Sequence, residues 1–309
     1  MIDKYTLRIR QSLSLEDKIN LTKLKIKTFY RYNKGAVYVS FSGGLDSTVL
    51  LNLVREVYPD ILGVFINTGL EHVDNVEFIQ EQKNIKIIQP KKSYKEIIEK
   101  HGYPVVSKMV SMAISRYRNT KDPIQKRLRL YGGLNPNTNK FQKMGVIPKK
   151  WRYLINAPFK ISEKCCDILK KRPALNFEKQ TGLSPYIGTM AEDSFNRQLQ
   201  YLKNGCNGFN KKHVTSTPLG FWRRQDILKY FFENNISYSK AYGRIYKNDN
   251  RYYTDGEKHT GCMFCLFGLQ CEKGVNRIQR LKKENKALYN YCLKDLGLKD
   301  VLNYMNLPY

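Results

Sequence analysis

The chain has 309 residues and is strongly basic, since 54 Lys and Arg side chains stand against 27 Asp and Glu, a formal net charge of +27. Its length allows one large α/β domain with a smaller appendage and a substantial buried core. No run of 18 apolar residues occurs and residues 1–5 contain no secretory apolar stretch, so the sequence predicts a cytoplasmic protein without a membrane partner.

Predicted strands and helices alternate along most of the chain. A helical segment is predicted first, over residues 1–34, with a start signal where Ser14 precedes Asp17. The alternation that follows predicts an α/β fold with a doubly wound, mostly parallel sheet, which binds ligands beyond the carboxyl ends of its strands. The predicted strands are 36–40, 61–67, 85–89, 185–190 and 213–217, and the predicted helices begin at Ser47 and cover 73–82, 94–100, 192–203, 227–232 and 277–296.

A glycine-containing turn follows the first predicted strand. Its residues, Ser42-Gly43-Gly44-Leu45-Asp46-Ser47, lead directly into the next helical pattern. In such a turn, successive backbone N–H groups form an anion-binding nest at a helix N-terminus. The hydroxyls of Ser42, Ser47 and Thr48 add further donors. The pattern therefore predicts a phosphate site, and the alternative is an ordinary tight turn that Asp46 caps.

This turn resembles the pyrophosphate-binding loop of the N-type ATP pyrophosphatase (PP-loop) superfamily, and it is not a Walker A loop because no Gly-Lys-Ser/Thr follows. That superfamily includes phosphoadenosine phosphosulfate (PAPS) reductases, tRNA thiolation enzymes and the ATPases of DNA phosphorothioation. The resemblance implies an adenine nucleotide alpha-hydrolase-like fold that splits pyrophosphate from AMP. It implies nucleotide contacts from Ser42, Gly43, Gly44, Ser47 and Thr48, catalytic roles for Asp46 and Ser47, and Mg²⁺ on Asp46.

The resemblance to the PAPS reductase family extends from about residue 36 to about residue 293. Asn67-Thr68-Gly69 stands where the family has Asp-Thr-Gly, which makes Thr68 and Gly69 expected nucleotide contacts. Arg197 is an expected phosphate ligand, with an exposed helical arginine as the alternative. Lys108 is a further candidate, and the block from Pro218 to Asp226 is expected to be architectural.

Four of the seven cysteines form a pattern that predicts a metal site. Cys165 and Cys166 are adjacent, and Cys262 and Cys265 form a Cys-x-x-Cys. Adjacent thiolates are awkward as two corners of one tetrahedral zinc, whereas an iron–sulfur cluster accepts each thiolate on a different iron. The pattern resembles that of the adenylyl-sulfate reductase branch, where four thiolates hold a 4Fe-4S cluster near the nucleotide. Zn²⁺ and free buried thiols are the alternatives, and Cys206 is either a persulfide carrier or a core residue.

Two features depart from the sulfonucleotide reductases. Their late Glu-Cys-Gly-(Ile/Leu)-His motif does not occur in these 309 residues, which argues against sulfonucleotide reduction itself. The segment 261–268, with Glu272, Asn276 and Arg277, looks most like the PAPS-reductase-like proteins of phages and mobile elements.

Positive charge is concentrated between residues 116 and 152, where aromatic residues are interleaved and Asp122 is the only acid. This composition is typical of surfaces that neutralise phosphates and stack bases, so it predicts a nucleic-acid partner, tRNA or DNA. The segment is expected to be an insertion or mobile loop over the site. Its cations are Arg116, Arg118, Lys121, Lys126, Arg127, Arg129, Lys140, Lys143, Lys149, Lys150 and Arg152.

Three functions are compatible with these features. The first is an ATP-dependent, adenylating sulfurtransferase that acts on a nucleic acid, with Mg²⁺, a 4Fe-4S cluster, and sulfide or a sulfur-donor protein. The second is a reductase of adenylyl sulfate (APS) or PAPS, and the third is a non-catalytic regulator that binds nucleotide and DNA. The expected domains are 1–34, 35–258 with the basic insertion, and 259–309. The oligomeric state is open, with a homodimer as one option.

Overall fold

A computed structural model gives the fold and describes residues 2–142, 144–209 and 213–309. The chain forms two compact units. Unit 1 comprises residues 1–67, 71–89 and 173–260, and unit 2 comprises residues 68–70, 90–172 and 261–309. The units combine distant segments, unlike the three contiguous domains expected from the sequence, because residues 90–172 pair with the C-terminal segment through strand and side-chain contacts.

The described helices and strands are short. The α-helices are α1 (Lys4–Ser12), α2 (Leu15–Tyr32), α3 (Leu45–Val57), α4 (Val73–Gln80), α5 (Tyr94–His101), α6 (Lys108–Asn119), α7 (Pro123–Tyr131), α8 (Arg172–Thr181), α9 (Phe195–Asn204), α10 (Arg224–Asn234), α11 (Arg277–Glu284), α12 (Lys286–Asn290) and α13 (Leu298–Tyr304). The strands are β1 (Val37–Ser40), β2 (Gly63–Ile66), β3 (Ile85–Ile88), β4 (Val105–Val106), β5 (Gly133–Asn135), β6 (Lys140–Gln142), β7 (Ser184–Ile187), β8 (Asn207–Gly208), β9 (Thr215–Ser216), β10 (Ile245–Asn248), β11 (Arg251–Thr254) and β12 (Leu266–Phe267). Within the described ranges, none of the helices is long and apolar enough to cross a membrane.

The central sheet of unit 1 has the strand order β3-β2-β1-β7-β9-β8. All neighbouring strands are parallel except β8 and β9. This confirms the predicted α/β fold with a mostly parallel sheet. Val39 of β1 pairs with Gly63 on one side and Tyr186 on the other, so β1 lies in the middle of the sheet. The residues that follow β1 and β7 therefore leave the sheet at the same edge.

The N-terminal helices pack into the core of unit 1. The Ser14 hydroxyl accepts the Asp17 N–H and begins α2, as predicted. Buried Lys18 pairs with Asp226 at 2.7 Å, and the indole of Trp222 donates to Thr22. These contacts confirm the architectural role expected for the block that contains Trp222 and Asp226.

Unit 2 has an apolar core of its own, built from α5, α6, the paired strands β4 and β12, and the C-terminal helices. The segment 116–152, expected to be an insertion or mobile loop, contains regular structure over much of its described part. The Asp122 carboxylate caps the Ile124 N–H, and Pro123 stands at the first helical position, so α7 begins there. The antiparallel hairpin β5–β6 and a 3-10 helix at Lys149–Asn156 complete the segment. Lys143 lies outside the described residues.

Candidate functional site

The turn between β1 and α3 requires its glycines. Gly43 has φ +69°, and a Cβ there would lie 2.9 Å from the Ile79 side chain and 3.1 Å from the Asn75 carbonyl oxygen. Gly44 is the N-cap of α3, so the helix begins two residues before the predicted start. No side chain caps this end, which leaves backbone N–H groups directed at the position where an anion would bind.

The hydroxyls of the turn point inward. Ser47 and Thr48 both donate to the Gly44 carbonyl oxygen, at 2.9 and 3.0 Å. The Ser47 Oγ also accepts the Ser42 N–H at 3.2 Å and lies 3.1 Å from the Ser42 Oγ. These bonds fix the shape of the turn. Phosphate contacts from Ser42, Ser47 and Thr48 stay a prediction.

Asp46 does not cap the turn. Its carboxylate lies 3.4 Å from one guanidinium nitrogen of Arg224. The other terminal nitrogen of Arg224 donates to the Lys258 carbonyl oxygen at 3.2 Å. Glu192 accepts the Arg224 backbone N–H at 2.7 Å and holds the start of α10 in place. Burial raises the pKa of Asp46 to about 6, and the charge of Arg224 opposes that shift. The turn thus carries a carboxylate whose charge is only partly neutralised by one cation.

A polar cluster lies beside Gly44. The hydroxyls of Tyr242 and Thr260 are 2.6 Å apart, and the Asn75 amide donates to Thr260 at 2.7 Å. The side-chain oxygen Oδ1 of Asn75 is buried and has no hydrogen-bond partner among the residues that the structure describes. Because a buried acceptor without a donor is costly, this atom is suited to accept a hydrogen bond from a ligand or a water molecule.

The other predicted phosphate-site residues fall into two groups. In unit 1, Gly188 follows β7 and packs closely on the turn, since a Cβ there would lie 3.1 Å from the Asp46 carbonyl oxygen. Arg197 pairs with Asp193, and both charges influence Asp46. Thr68 and Gly69 follow β2 and belong to unit 2. Their predicted contacts with nucleotide stay predictions.

The four predicted metal-binding cysteines surround one small cavity in unit 2. Cys165, Cys166, Cys262 and Cys265 line a space of about 20 Å³ together with apolar side chains. The Sγ atoms of Cys165 and Cys166 are 4.0 Å apart. Within the described part of the chain, no three Cys, His, Asp or Glu side chains are arranged to hold a single metal ion. Four thiols around a common space fit an iron–sulfur cluster in number and type, and their side chains must rotate to admit one.

The thiols around this cavity differ in acidity. A hydrogen bond with Cys165 lowers the pKa of Cys166, and the ammonium groups of Lys108 and Lys170 lower it further. The same contact raises the pKa of Cys165, and burial raises that of Cys265 to about 11. Lys108, which the sequence offers as a candidate phosphate ligand, thus lowers the pKa of the Cys166 thiol. Two cations offset the negative charge that several thiolates would carry.

The remaining cysteines lie apart from this cavity's lining. Cys206 is buried in the core of unit 1, and burial raises its pKa to about 11. Cys292 is buried in unit 2 with a pKa of about 12, and Cys271 is exposed. A buried thiol with a raised pKa is a poor nucleophile, which favours the core interpretation of Cys206 over a persulfide carrier.

Part of the basic segment is structural. Arg118 donates to the carbonyl oxygens of residues 154, 155, 157 and 159 at 2.6–2.8 Å. Buried Arg129 donates to Gly145, and Arg152 to Leu130. These three cations hold unit 2 together through bonds to backbone carbonyl oxygens.

The rest of the basic segment is exposed and aromatic. Tyr131 and Phe141 have 69% and 65% of their surface exposed, and Arg152 lies 5.0 Å from the Tyr131 ring centroid. Lys126 and Lys150 lie over the rings of Tyr117 and Trp151, at 5.6 and 5.4 Å. The exposed cations are Arg116, Lys121, Arg127, Lys140, Lys149 and Lys150. We call this set of exposed cations and rings the aromatic–basic surface.

Residues 36–133 match the family model of the phosphoadenosine phosphosulfate reductase domain, which covers the turn, Asp46 and the strands around them. Over these residues, the match confirms the resemblance to PAPS reductases that the sequence predicts. The predicted phage and mobile-element branch stays a prediction.

Several known proteins are similar to a larger part of the chain. Two uncharacterized proteins of Methanocaldococcus jannaschii are each 23% identical, over 86% and 78% of the chain. The chain spans only 49% and 38% of their lengths. An adenosine 5'-phosphosulfate reductase of Geobacillus sp. is 24% identical over 71% of the chain and 72% of its own length. A crystal structure of the PAPS reductase of Candida auris is similar at 15% identity and a TM-score of 0.40, over 78% of the chain and 91% of that protein.

Sequence reasoning missed Arg224, Tyr242 and Thr260 around the turn between β1 and α3. Arg224 stands 178 positions after Asp46 in the chain. Its neighbours Trp222 and Asp226 were correctly placed in an architectural block, but that pattern does not say which side chain turns toward the loop. The position of Arg224 at the start of α10 is the signal that could have found it. A cation at the start of a helix is unfavourable and needs a carboxylate nearby.

The acidity of Asp46 predicts a measurable stability effect. An unfolded Asp has a pKa near 3.9, whereas the folded protein raises it to about 6. Between these values the folded state holds a proton that the unfolded chain has released, so the free energy of unfolding decreases as the pH rises from 4 to 6. Asp46→Asn, which stays neutral, is expected to gain about 1–2 kcal/mol relative to the wild type between pH 4.5 and pH 7. Urea unfolding at both pH values measures this difference, and an equal difference at both contradicts it.

Proposed function

We propose that this protein is an ATP-dependent sulfurtransferase that acts on a nucleic acid. The proposal combines three parts of the molecule: the Gly43–Gly44 turn with Asp46, the four-cysteine cavity and the aromatic–basic surface. The observation that carries it is the aromatic–basic surface, because a reductase of small sulfonucleotides has no need of exposed rings interleaved with cations.

The turn would hold the nucleotide by its phosphates. Backbone N–H groups at the start of α3 lack side-chain partners, and the glycines allow a phosphate to approach the backbone. Asp46 would hold Mg²⁺, which neutralises charge on the pyrophosphate as it leaves. Arg224, beside Asp46, would then be released to contact a phosphate oxygen.

The reaction would proceed in two displacements. An oxygen of the nucleic acid attacks the α-phosphorus of ATP, the bond to the β-phosphate breaks, and pyrophosphate leaves. A sulfide then displaces AMP together with the transferred oxygen. The four cysteines would hold a 4Fe-4S cluster, which supplies or relays sulfide when bound. Lys108 and Lys170 would balance the charge of the thiolates.

Pyrophosphate release tests this function. Anaerobically purified protein is incubated with ATP and Mg²⁺, with and without tRNA or DNA, and pyrophosphate is measured. Release that depends on the nucleic acid supports the proposal. Binding of nucleic acid without any turnover contradicts it and favours a non-catalytic regulator.

A second candidate is a reductase of APS or PAPS. The match of residues 36–133 to the PAPS reductase domain and the similarity to an adenosine 5'-phosphosulfate reductase favour it. Sulfite release from APS or PAPS, in the presence of a thiol reductant and without nucleic acid, distinguishes this activity from the first.

Iron content provides a further prediction. The protein purified without oxygen is expected to be brown, to absorb near roughly 400 nm and to contain about four irons. Cys262→Ser and Cys265→Ser should each lose most of the iron, because each thiol lines the cavity. Cys206→Ala is the matched control and should keep it, since Cys206 lies in the core of unit 1. Colourless protein that contains zinc would overturn the assignment of a cluster.

A further inference from the structure

Tyr94 lines the four-cysteine cavity and carries a buried hydroxyl. It is the first residue of α5, directly after the N-cap Ser93, and its ring packs in the core of unit 2. Tyr94 lines the cavity together with the four cysteines and is only 6% exposed. Its hydroxyl is buried and has no hydrogen-bond partner among the residues that the structure describes.

A buried hydroxyl without a partner destabilises the folded protein, because it has lost its hydrogen bonds to water. Around the cavity, the side chains of Leu70, Leu169 and Pro104 offer no acceptor, whereas the thiols do. A tyrosine hydroxyl keeps its proton at neutral pH, since its ordinary pKa is near 10. Tyr94 is thus a buried hydrogen-bond donor in the lining of a sulfur-rich space.

We propose that the Tyr94 hydroxyl donates a hydrogen bond to a sulfur atom of the iron–sulfur cluster that the four cysteines hold. This inference rests on the proposed cluster and adds a positioning residue to it. A hydrogen bond to sulfur withdraws electron density and stabilises the reduced, more negative form of the cluster more than the oxidised form. Tyr94 therefore raises the reduction potential and orients the cluster through one fixed donor.

Tyr94→Phe removes the hydroxyl and keeps the ring, so the packing of unit 2 is retained. Tyr103→Phe is the matched control in the same unit, because the Tyr103 hydroxyl donates to the Leu296 carbonyl oxygen at 2.9 Å and is already satisfied. Both variants and the wild type are purified anaerobically and analysed for iron. Their reduction potentials are then measured by a spectroscopic redox titration.

We expect Tyr94→Phe to contain as much iron as the wild type. The equilibrium constant for one-electron reduction of the cluster should be lower by up to roughly tenfold, which corresponds to a reduction potential lower by about 59 mV. Tyr103→Phe should leave the potential unchanged. Iron-loaded Tyr94→Phe with an unchanged potential overturns this inference and leaves the proposed cluster intact. Absence of iron from the wild-type protein overturns both.

A second measurement does not depend on the cluster. In protein from which iron has been removed, the Tyr94 hydroxyl has no partner, so Tyr94→Phe should increase the urea concentration at the unfolding midpoint. Tyr103→Phe should decrease it, because a satisfied hydrogen bond is lost. A lower midpoint for Tyr94→Phe would show that the hydroxyl has a partner within the protein, which overturns the inference.

Discussion

Asp46→Asn is expected to reduce pyrophosphate release from ATP by roughly a hundredfold or more while the fold is retained. The variant keeps the size of the side chain and removes the charge that would hold Mg²⁺ at the leaving pyrophosphate. The fold should persist because the turn is fixed by the bonds of Ser47 and Thr48 to the Gly44 carbonyl oxygen, which do not involve Asp46. Steady-state pyrophosphate assays over a range of Mg²⁺ concentrations, together with circular dichroism, measure both effects.

The matched control is Glu233→Gln. Glu233 is an exposed acid of α10 in the same unit and pairs with Lys229 at 3.6 Å. Glu233→Gln also removes one negative charge, but at a site away from the turn. It should leave turnover within about twofold of the wild type. Full activity of Asp46→Asn would remove the turn from the mechanism, whereas equal losses in both variants would indicate a general effect of charge.

Replacing four cations of the aromatic–basic surface is expected to weaken polynucleotide binding by roughly a hundredfold at low salt. The variant changes Lys121, Arg127, Lys149 and Lys150 to alanine, all of which lie outside the hydrogen bonds of the three structural arginines. Each phosphate contact with a single strand contributes about 0.7 to the slope of log affinity against log salt, so the slope should decrease by up to about 3. Fluorescence anisotropy with labelled single-stranded RNA and DNA, over a series of salt concentrations, measures both quantities.

A control variant removes four exposed cations from α1 and α2, namely Lys4, Arg8, Lys27 and Arg31. It changes the net charge by the same amount and should change the slope by less than one. If both variants lose affinity equally, the interaction depends on net charge alone and the aromatic–basic surface is incidental.

Local sequence patterns predicted the fold well wherever the deciding contacts are local. The β1 strand, the glycine turn and α3 follow from a buried apolar run, positive φ at Gly43 and helical spacing. The N-cap at Ser14 was equally visible. The Asp122-Pro123 pair carried the same kind of signal, but the surrounding charge obscured it and α7 was missed.

Features that depend on distant contacts could not be predicted. The pairing of Val105 with Leu266 brings segments 161 positions apart into one strand pair, and no local pattern specifies it. The approach of Arg224 to Asp46 and the burial of the Tyr94 hydroxyl depend on tertiary packing in the same way. The four cysteines were predicted as a group because adjacent thiols and a Cys-x-x-Cys form an unusual combination.

The Arg118 guanidinium has a consequence for how the charge of this protein is counted. Four of its five N–H groups are donated to carbonyl oxygens of residues 154–159. Such a cation acts as an internal tether. It still counts in the net charge of the protein, but most of its N–H groups are no longer free to bind a phosphate oxygen. Lysine at this position, with three donors on a flexible chain, would free the charge and loosen the tether together.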